Sequence, residues 1–182
     1  MKTYGYLVLA LGWLVWVTPF VLAKRSAEPA KLVDRRARWG VVLAGIGYGM
    51  LWQGRFWERG PTAWQLAFAI LFLALACILS WTATRALGRQ WRIDAGLSSD
   101  HELVTHGPYN SVRHPIYTSM LCLFLGNALL TSSLPLFTIG AVCFVGGTEI
   151  RVRIEERLLA AHFGEQYWEY RRKVPAYIPF VR

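Results

Sequence analysis

Four stretches of the sequence contain no Asp, Glu, Lys or Arg: Tyr4–Ala23, Trp39–Gly54, Pro61–Thr84 and Pro115–Thr148. A helix rises 1.5 Å per residue and the hydrocarbon core of a bilayer is about 30 Å thick, so about 20 apolar residues cross it. Tyr4–Ala23 has that length. It is longer than the apolar part of a secretory signal, carries Trp13, Trp16 and Pro19, and ends at Lys24-Arg25, which reads as a retained span. Pro61–Thr84 is the least ambiguous of the four. As one helix Pro115–Thr148 would extend about 51 Å. Ser132-Ser133-Leu134-Pro135 near its middle is a turn sequence, so the run divides into two short helices forming a hairpin. In the shortest run, Gly45-Ile46-Gly47-Tyr48-Gly49 has the outward form of a cofactor loop, but no β-branched strand precedes it. Gly45 and Gly49 stand at the spacing that lets membrane helices pack closely. The expected fold is all-α: a polytopic membrane protein with about five transmembrane helices.

Composition agrees, with 54% hydrophobic and only 17% charged residues, against a usual charged share of about 25%. Cys77, Cys122 and Cys143 all fall inside apolar runs without any ligand spacing, so neither a structural metal nor a redox pair is expected. A net charge of +9 would suit nucleic acid, but the positions of the charges give it another meaning. Basic residues occupy Lys24–Arg38 (Lys24, Arg25, Lys31, Arg35, Arg36, Arg38), Arg85–Arg113 (Arg85, Arg89, Arg92, Arg113) and the tail (Arg151, Arg153, Arg157, Arg171, Arg172, Lys173, Arg182). With five spans these segments share one side, leaving Lys2, Arg55 and Arg59 on the other. That asymmetry places the amino terminus outside and the carboxyl terminus in the cytoplasm. The basic excess then serves topology and membrane lipids, with no nucleic-acid partner.

Residues polar enough for chemistry lie in the connection Ala83–His114 and in the tail from Glu149. The connection is long for a helix link, and Trp91, Ile93, Leu97, Leu103, Val104 and Tyr109 give it material for a folded loop. Gly107-Pro108 forces a turn, and Pro115 suits the first turn of a helix. Arg113 and His114 then sit at the positive mouth of that helix. There they either receive an anionic group such as a carboxylate, or merely reach headgroups and cap the helix. In the tail, Ile150, Ile154 and Leu158 recur at helical spacing, so an amphipathic helix continues out of the last span. Arg151 and Glu155 share one of its faces, as do Glu149 and Arg153. Each pair is either a surface ion bridge or, for Glu155, a carboxylate held at a pocket for a cationic ligand.

The ordered set of motifs resembles the isoprenylcysteine carboxyl methyltransferase family, which is related to the phospholipid methyltransferases. It comprises Leu87-Gly88-Arg89-Gln90-Trp91, His101-x-Leu103-Val104-x-x-Gly107-x-Tyr109, Arg113-His114-Pro115-x-Tyr117, Arg151-x-x-x-Glu155-Glu156, Phe163-Gly164-x-x-Tyr167-x-x-Tyr170, Lys173-Val174-Pro175 and Ile178-Pro179-Phe180. The resemblance covers roughly Leu87 to Arg182. It implies a membrane-embedded enzyme that uses S-adenosylmethionine without a Rossmann domain. Residues 1–84 would be three transmembrane helices and 85–182 the catalytic region, with the loop and tail helix enclosing the cofactor. The cofactor pocket implied by the resemblance takes Asp94, His101, Glu102, Leu103, Val104, Gly107, Tyr109, His114, Pro115, Ile116, Tyr117, Glu155 and Glu156. Arg151 would address the acceptor's carboxylate, with Arg113 as the second catalytic candidate and no metal. Asp94 stands where the family often has an amide, and Ser119 where it often has Gly.

The chemistry suits those residue types. The methyl donor carries a sulfonium and an ammonium group, which Glu155 complements and which the faces of Tyr109 and Tyr117 can hold without acting as nucleophiles. A carboxylate acceptor needs no general base, whereas an amine or thiol must lose a proton. The resemblance implies a lipophilic acceptor, either a small molecule or a prenylated substrate of the isoprenylcysteine type. Phospholipid or small-molecule N- or S-methylation, an NADPH-dependent sterol-type reductase and an inactive membrane assembly protein are the alternatives.

Overall fold

The computed structural model describes residues 2–23, 32–53, 60–97 and 101–178, and the account below is of those. Lys24, Arg25, Lys31, Arg55, Arg59, Pro179, Phe180 and Arg182, which entered the charge count and the last motif, lie outside them. Five helices run back and forth: α1 (Lys2–Leu22), α2 (Ala37–Leu51), α3 (Ala63–Leu87), α4 (Pro115–Thr131) and α5 (Leu134–Phe163). A short α6 (Glu165–Lys173) follows the left-handed turn at Gly164. α1, α3 and α5 are long and apolar enough to cross a membrane. α2 and α4 have 15 and 17 residues, about 23 and 26 Å of helix, and each lies against a longer neighbour, α2 on α5 and α4 on α3. The chain is an all-α polytopic membrane protein.

The chain breaks at Ser132-Ser133, whose extended backbone separates α4 from α5. The hairpin arms are unequal, however. Only α4 is short, because α5 runs without interruption through the apolar residues into the charged tail, 30 residues in all. The close approach of α2 to α5 also uses different glycines from those the spacing suggested. A Cβ on Gly40 would stand 2.5 Å from the Gly147 carbonyl oxygen, and one on Gly47 would stand 2.6 Å from that of Gly140. Gly45 and Gly49 have no neighbour of that kind within 4 Å. The contact follows a seven-residue step, Gly40 to Gly47 against Gly140 to Gly147, which is two turns of each helix.

α1 is joined to the rest by its polar edges. Pro19 has no N–H, so the carbonyl of Val15 one turn earlier lacks its helical donor. The indole N–H of Trp81 on α3 donates to it at 3.0 Å. Inside a bilayer such a replacement is obligatory, since no water is available to satisfy the carbonyl. Two more indoles of α1 reach α4, Trp13 to the side chain of Asn127 at 3.1 Å and Trp16 to the hydroxyl of Ser119 at 3.1 Å. Ser119, fully buried, donates in turn to the carbonyl of Ile116.

One end of the bundle carries the polar segments. Leu32–Val33 (β1) pairs antiparallel with Gly96–Leu97 (β2). Ala37, Ala95 and Ile154 form a small core that joins α2, the loop and the α5 extension. The loop after α3 is folded: Trp91, Ala95, Leu97, Tyr109 and Val112 are buried. Leu103 and Val104 are half-buried, and Ile93 is 68% exposed although its hydrophobicity suggested burial. The segment after α6 returns beneath α4, where the backbone N–H groups of Arg113 and His114 donate to the carbonyls of Pro175 and Ala176 at 2.8 and 3.0 Å. The segments starting at residues 32, 88 and 164 therefore meet at one end.

Candidate active site

A cavity of about 540 Å³ opens between this polar end and the middle of the bundle. The loop contributes Asp94, His101, Glu102, Leu103, Val104 and Tyr109. The start of α4 contributes His114, Ile116 and Tyr117, and α5 contributes Thr148, Arg151, Glu155, Leu158 and Leu159. Arg113 also touches it. Gly107, Pro115 and Glu156 lie outside the lining. Gly107 (φ +61°) and Pro115 shape the turn and helix start that carry their neighbours.

Three polar side chains interlock on the wall. Tyr117 donates its hydroxyl to Glu155. Arg151 donates through Nε to the Tyr117 oxygen at 2.7 Å, and through Nη2 to Glu155 at 3.1 Å and to the carbonyl of Ile93 at 3.1 Å. The guanidinium stands 5.9 Å from the Tyr117 ring centre. A cation and an anion are thus exposed to the same space, each with its orientation fixed by a phenol between them. Next to Ile93 in the chain, Asp94 pairs with Arg92 at 3.1 Å, and that hydrogen bond holds its carboxyl below the usual range. Burial pushes the phenol of Tyr109 well up, so it is neutral, and its backbone carbonyl accepts the hydroxyl of Tyr170 at 2.6 Å.

Glu156 faces the other way. Arg113 donates to it through Nε and Nη2 at 3.0 and 2.7 Å, the Nε2 of His114 stands 3.3 Å away and Arg171 3.5 Å. The remaining terminal nitrogen of Arg113 donates to the carbonyls of Arg171 and Val174. The anion at the positive mouth of α4 is therefore the chain's own Glu156. His114 lies between the two carboxylates, its Nδ1 4.0 Å from Glu155.

Comparison with known proteins gives this geometry a context. A sequence model described as phospholipid methyltransferase matches residues 64–166, which is more than half of the chain. The chain belongs to the phospholipid methyltransferase family. Among relatives, the protein-S-isoprenylcysteine O-methyltransferase of Tribolium castaneum is 31% identical over 65% of this chain and 43% of its own length. The nickel-cobalt-cadmium resistance protein NccN of Alcaligenes xylosoxydans xylosoxydans is 37% identical over 88% of this chain and 72% of its own. The methanethiol S-methyltransferase of Mycobacterium tuberculosis is 29% identical over 77% of this chain and 62% of its own. The chain thus spans less than two thirds of the length of the two methyltransferases.

The phospholipid methyltransferase match begins at Trp64, inside α3, so α1 and α2 lie outside it. Yet both helices line the cavity, through Trp13, Trp16 and Phe20 on α1 and Gly40, Val41, Ala44, Gly45 and Tyr48 on α2. Motif reading left these residues out. A signal was present: Trp13, Trp16 and Phe20 stand at i, i+3 and i+7, which places three large rings on one helical face. Tyr170, noted only as part of a motif, and Thr148 also reach the cavity.

Proposed function

We propose that this cavity binds S-adenosylmethionine beside an apolar acceptor bearing a carboxylate, and that the protein transfers a methyl group to that carboxylate. The observation that carries the reading is the pairing of Arg151 and Glu155 on one wall, an anion receptor and a cation receptor in direct contact at 3.1 Å and both bonded to the Tyr117 hydroxyl. The donor set fits the cofactor: Glu155 and Glu102 complement a sulfonium and an ammonium group, and Tyr109 and Tyr117 offer aromatic faces to the cation. When bound, S-adenosylmethionine supplies a methyl carbon on a positively charged sulfur, open to in-line attack by an oxygen lone pair.

The chain's own residues do the rest. Arg151 holds the acceptor carboxylate through Nη1, while its bonds to Tyr117, Ile93 and Glu155 fix the guanidinium that orients the attacking oxygen. Glu155 balances the positive charge on the donor side. Tyr117 sets the angle between them, and residues 91–97 and 101–104, with Tyr109, line the polar end. A carboxylate is already deprotonated at neutral pH, so no side chain has to remove a proton. Arg113 belongs to the frame, since each of its three guanidinium nitrogens donates to Glu156 or to the backbone beneath α4. Motif content puts the catalytic region in 85–182, with α1 and α2 completing the wall on the apolar side.

Isothermal titration separates this reading from its competitors. The protein should bind S-adenosylhomocysteine and ignore NADPH. Binding of NADPH alone would make it a reductase, and binding of neither would make it an inactive scaffold. The same reading places the polar end in the cytoplasm. A cysteine introduced at Leu134 should then be labelled from outside, and one at Ala176 only after permeabilisation.

A further inference from the structure

Two rings line the apolar end of the cavity, and they set what the acceptor can be. Trp13 of α1 and Tyr48 of α2 meet edge to face, with centroids 5.5 Å apart. Both are pinned to α4. Trp13 donates its indole N–H to Asn127 at 3.1 Å, and the fully buried Asn127 amide is itself tied to the Leu123 carbonyl at 2.8 Å. Tyr48 donates its hydroxyl to the Met120 carbonyl at 2.7 Å. Its ring is wedged against Phe124 at 5.4 Å and Phe144 at 5.6 Å. Beyond the pair the bundle is filled by the cluster of Leu9, Leu73, Ala76 and Leu123. Moving either ring would break a hydrogen bond in a place where water cannot replace it.

Below the pair, Trp16 and Phe20 continue the wall toward the polar end, and Phe20 meets Trp91 at 5.7 Å. From Trp13 to Phe20 the helix advances about 10 Å, and the aromatic wall is no longer than that. The whole cavity, at about 540 Å³, is of the size that encloses a single drug-sized ligand, roughly 300–1,000 Å³. Resting on the proposed function, that space must admit the cofactor together with the reacting head of the acceptor. Little remains for a tail.

We propose that Trp13 and Tyr48 form the end-stop of the acceptor pocket, and that this chain methylates carboxylates carrying a compact apolar group rather than a long isoprenoid one. Trp13, Trp16 and Tyr48 offer the tail their ring carbons, because their indole and phenol donors point into α4, so these rings select by length and not by functional group. Longer tails gain nothing from the protein once they pass the wall.

The test is a chain-length series on the full protein in nanodiscs: N-acetylcysteine S-alkylated with butyl, hexyl, octyl, decyl, dodecyl and hexadecyl groups, followed by calorimetric binding and by methyl transfer. Binding should tighten by roughly fourfold per methylene while the tail is inside the wall, then stop tightening or weaken. In Trp13→Ala and in Tyr48→Leu the break should move to longer tails. In Tyr48→Phe, which keeps the ring and loses the bond to Met120, it should stay. S-adenosylhomocysteine binding reports whether each variant is folded. A break that stays put in both enlarged variants, or continuous tightening to hexadecyl in the wild type, overturns the end-stop while leaving the methyltransferase reading intact. A wild type that binds S-adenosylhomocysteine but neither binds nor methylates any member of the series overturns the acceptor reading, and the end-stop with it.

Discussion

Glu155 and Glu156 follow one another on α5, yet the first faces the cavity and the second faces away from it into a knot of basic groups. Successive helical residues point about 100° apart, so two adjacent carboxylates on a helix packed on several sides meet different neighbours. Glu155 shares its surroundings with a phenol, one guanidinium and the open space of the cavity. Glu156 has Arg113, His114 and Arg171 around it, and its side chain is only 12% exposed. One carboxylate is balanced with capacity to spare, the other is saturated. The difference separates binding a ligand from holding the C-terminal segment under α4, and His114 sits between the two tasks.

The largest effect should come from the saturated side. Arg113→Ala leaves Glu156 Oε1 without the two N–H groups that converge on it and cuts the tether to the carbonyls of Arg171 and Val174. Removing one member of a buried ion pair costs roughly 3–5 kcal/mol. Thermal unfolding should show a loss on that scale, with cofactor binding falling only as the fold does. A variant as stable as the wild type but inactive would return Arg113 to the reacting groups and dissolve the contrast.

On the cavity side the expected losses are functional. Arg151→Ala should leave S-adenosylhomocysteine affinity nearly unchanged while turnover drops. A charge-assisted bond to a carboxylate is worth roughly 1.5–3 kcal/mol, or about ten- to a hundredfold in rate. Lys should restore little, since it offers a point charge in place of a planar fork. Glu155→Gln removes charge and little volume, and should weaken S-adenosylhomocysteine about tenfold with unfolding unchanged. Equal and mild phenotypes at Arg151 and Glu155 would reduce the pair to a surface bridge.

How much of this was legible depends on what kind of information each feature carries. The helices could be read because charge-free runs of membrane length allow few other structures, and Ser132-Ser133 punctuates the longest run. The polar part of the cavity wall could be read from the ordered motifs between His101 and Glu155, but the contribution of α1 and α2 could not. The opposed orientations of Glu155 and Glu156 could not, because facing is decided by which elements pack against α5, and the segment after α6 that supplies the Arg113 tether is distant in sequence. The α2–α5 contact was misassigned to Gly45 and Gly49 for the same reason. Spacing shows which residues share a face, but not which face meets a neighbour. The aromatic stripe of α1 was visible at i, i+3 and i+7, and reads equally well as core until α2 is seen standing across from it.

The smallest effect is the sharpest check on that lesson. Glu149–Arg153 and Arg151–Glu155 have the same types of charge, sit on the same helix and are both four residues apart. By spacing and charge type alone the two pairs differ only in their order along the helix. In the structure Arg153 reaches Glu149 at 2.7 Å with 69% of its side chain exposed, whereas the Arg151 side chain is 15% exposed and hydrogen-bonded on three sides. An exposed pair on a helix is screened by solvent and contributes almost nothing. Arg153→Ala should therefore leave unfolding, cofactor affinity and turnover within error of the wild type. Its partner should behave differently, because Glu149 also accepts the Tyr177 hydroxyl at 3.0 Å, and Tyr177 lies in the segment that closes under α4 through the bond from Thr118 to its carbonyl. Glu149→Ala should produce a small loss of stability that Tyr177→Phe reproduces and that the two changes together do not exceed. If Arg153→Ala instead lowered turnover as far as Arg151→Ala, net positive charge at this end of the bundle would account for the activity, and the particular geometry of Arg151, Tyr117 and Glu155 would not.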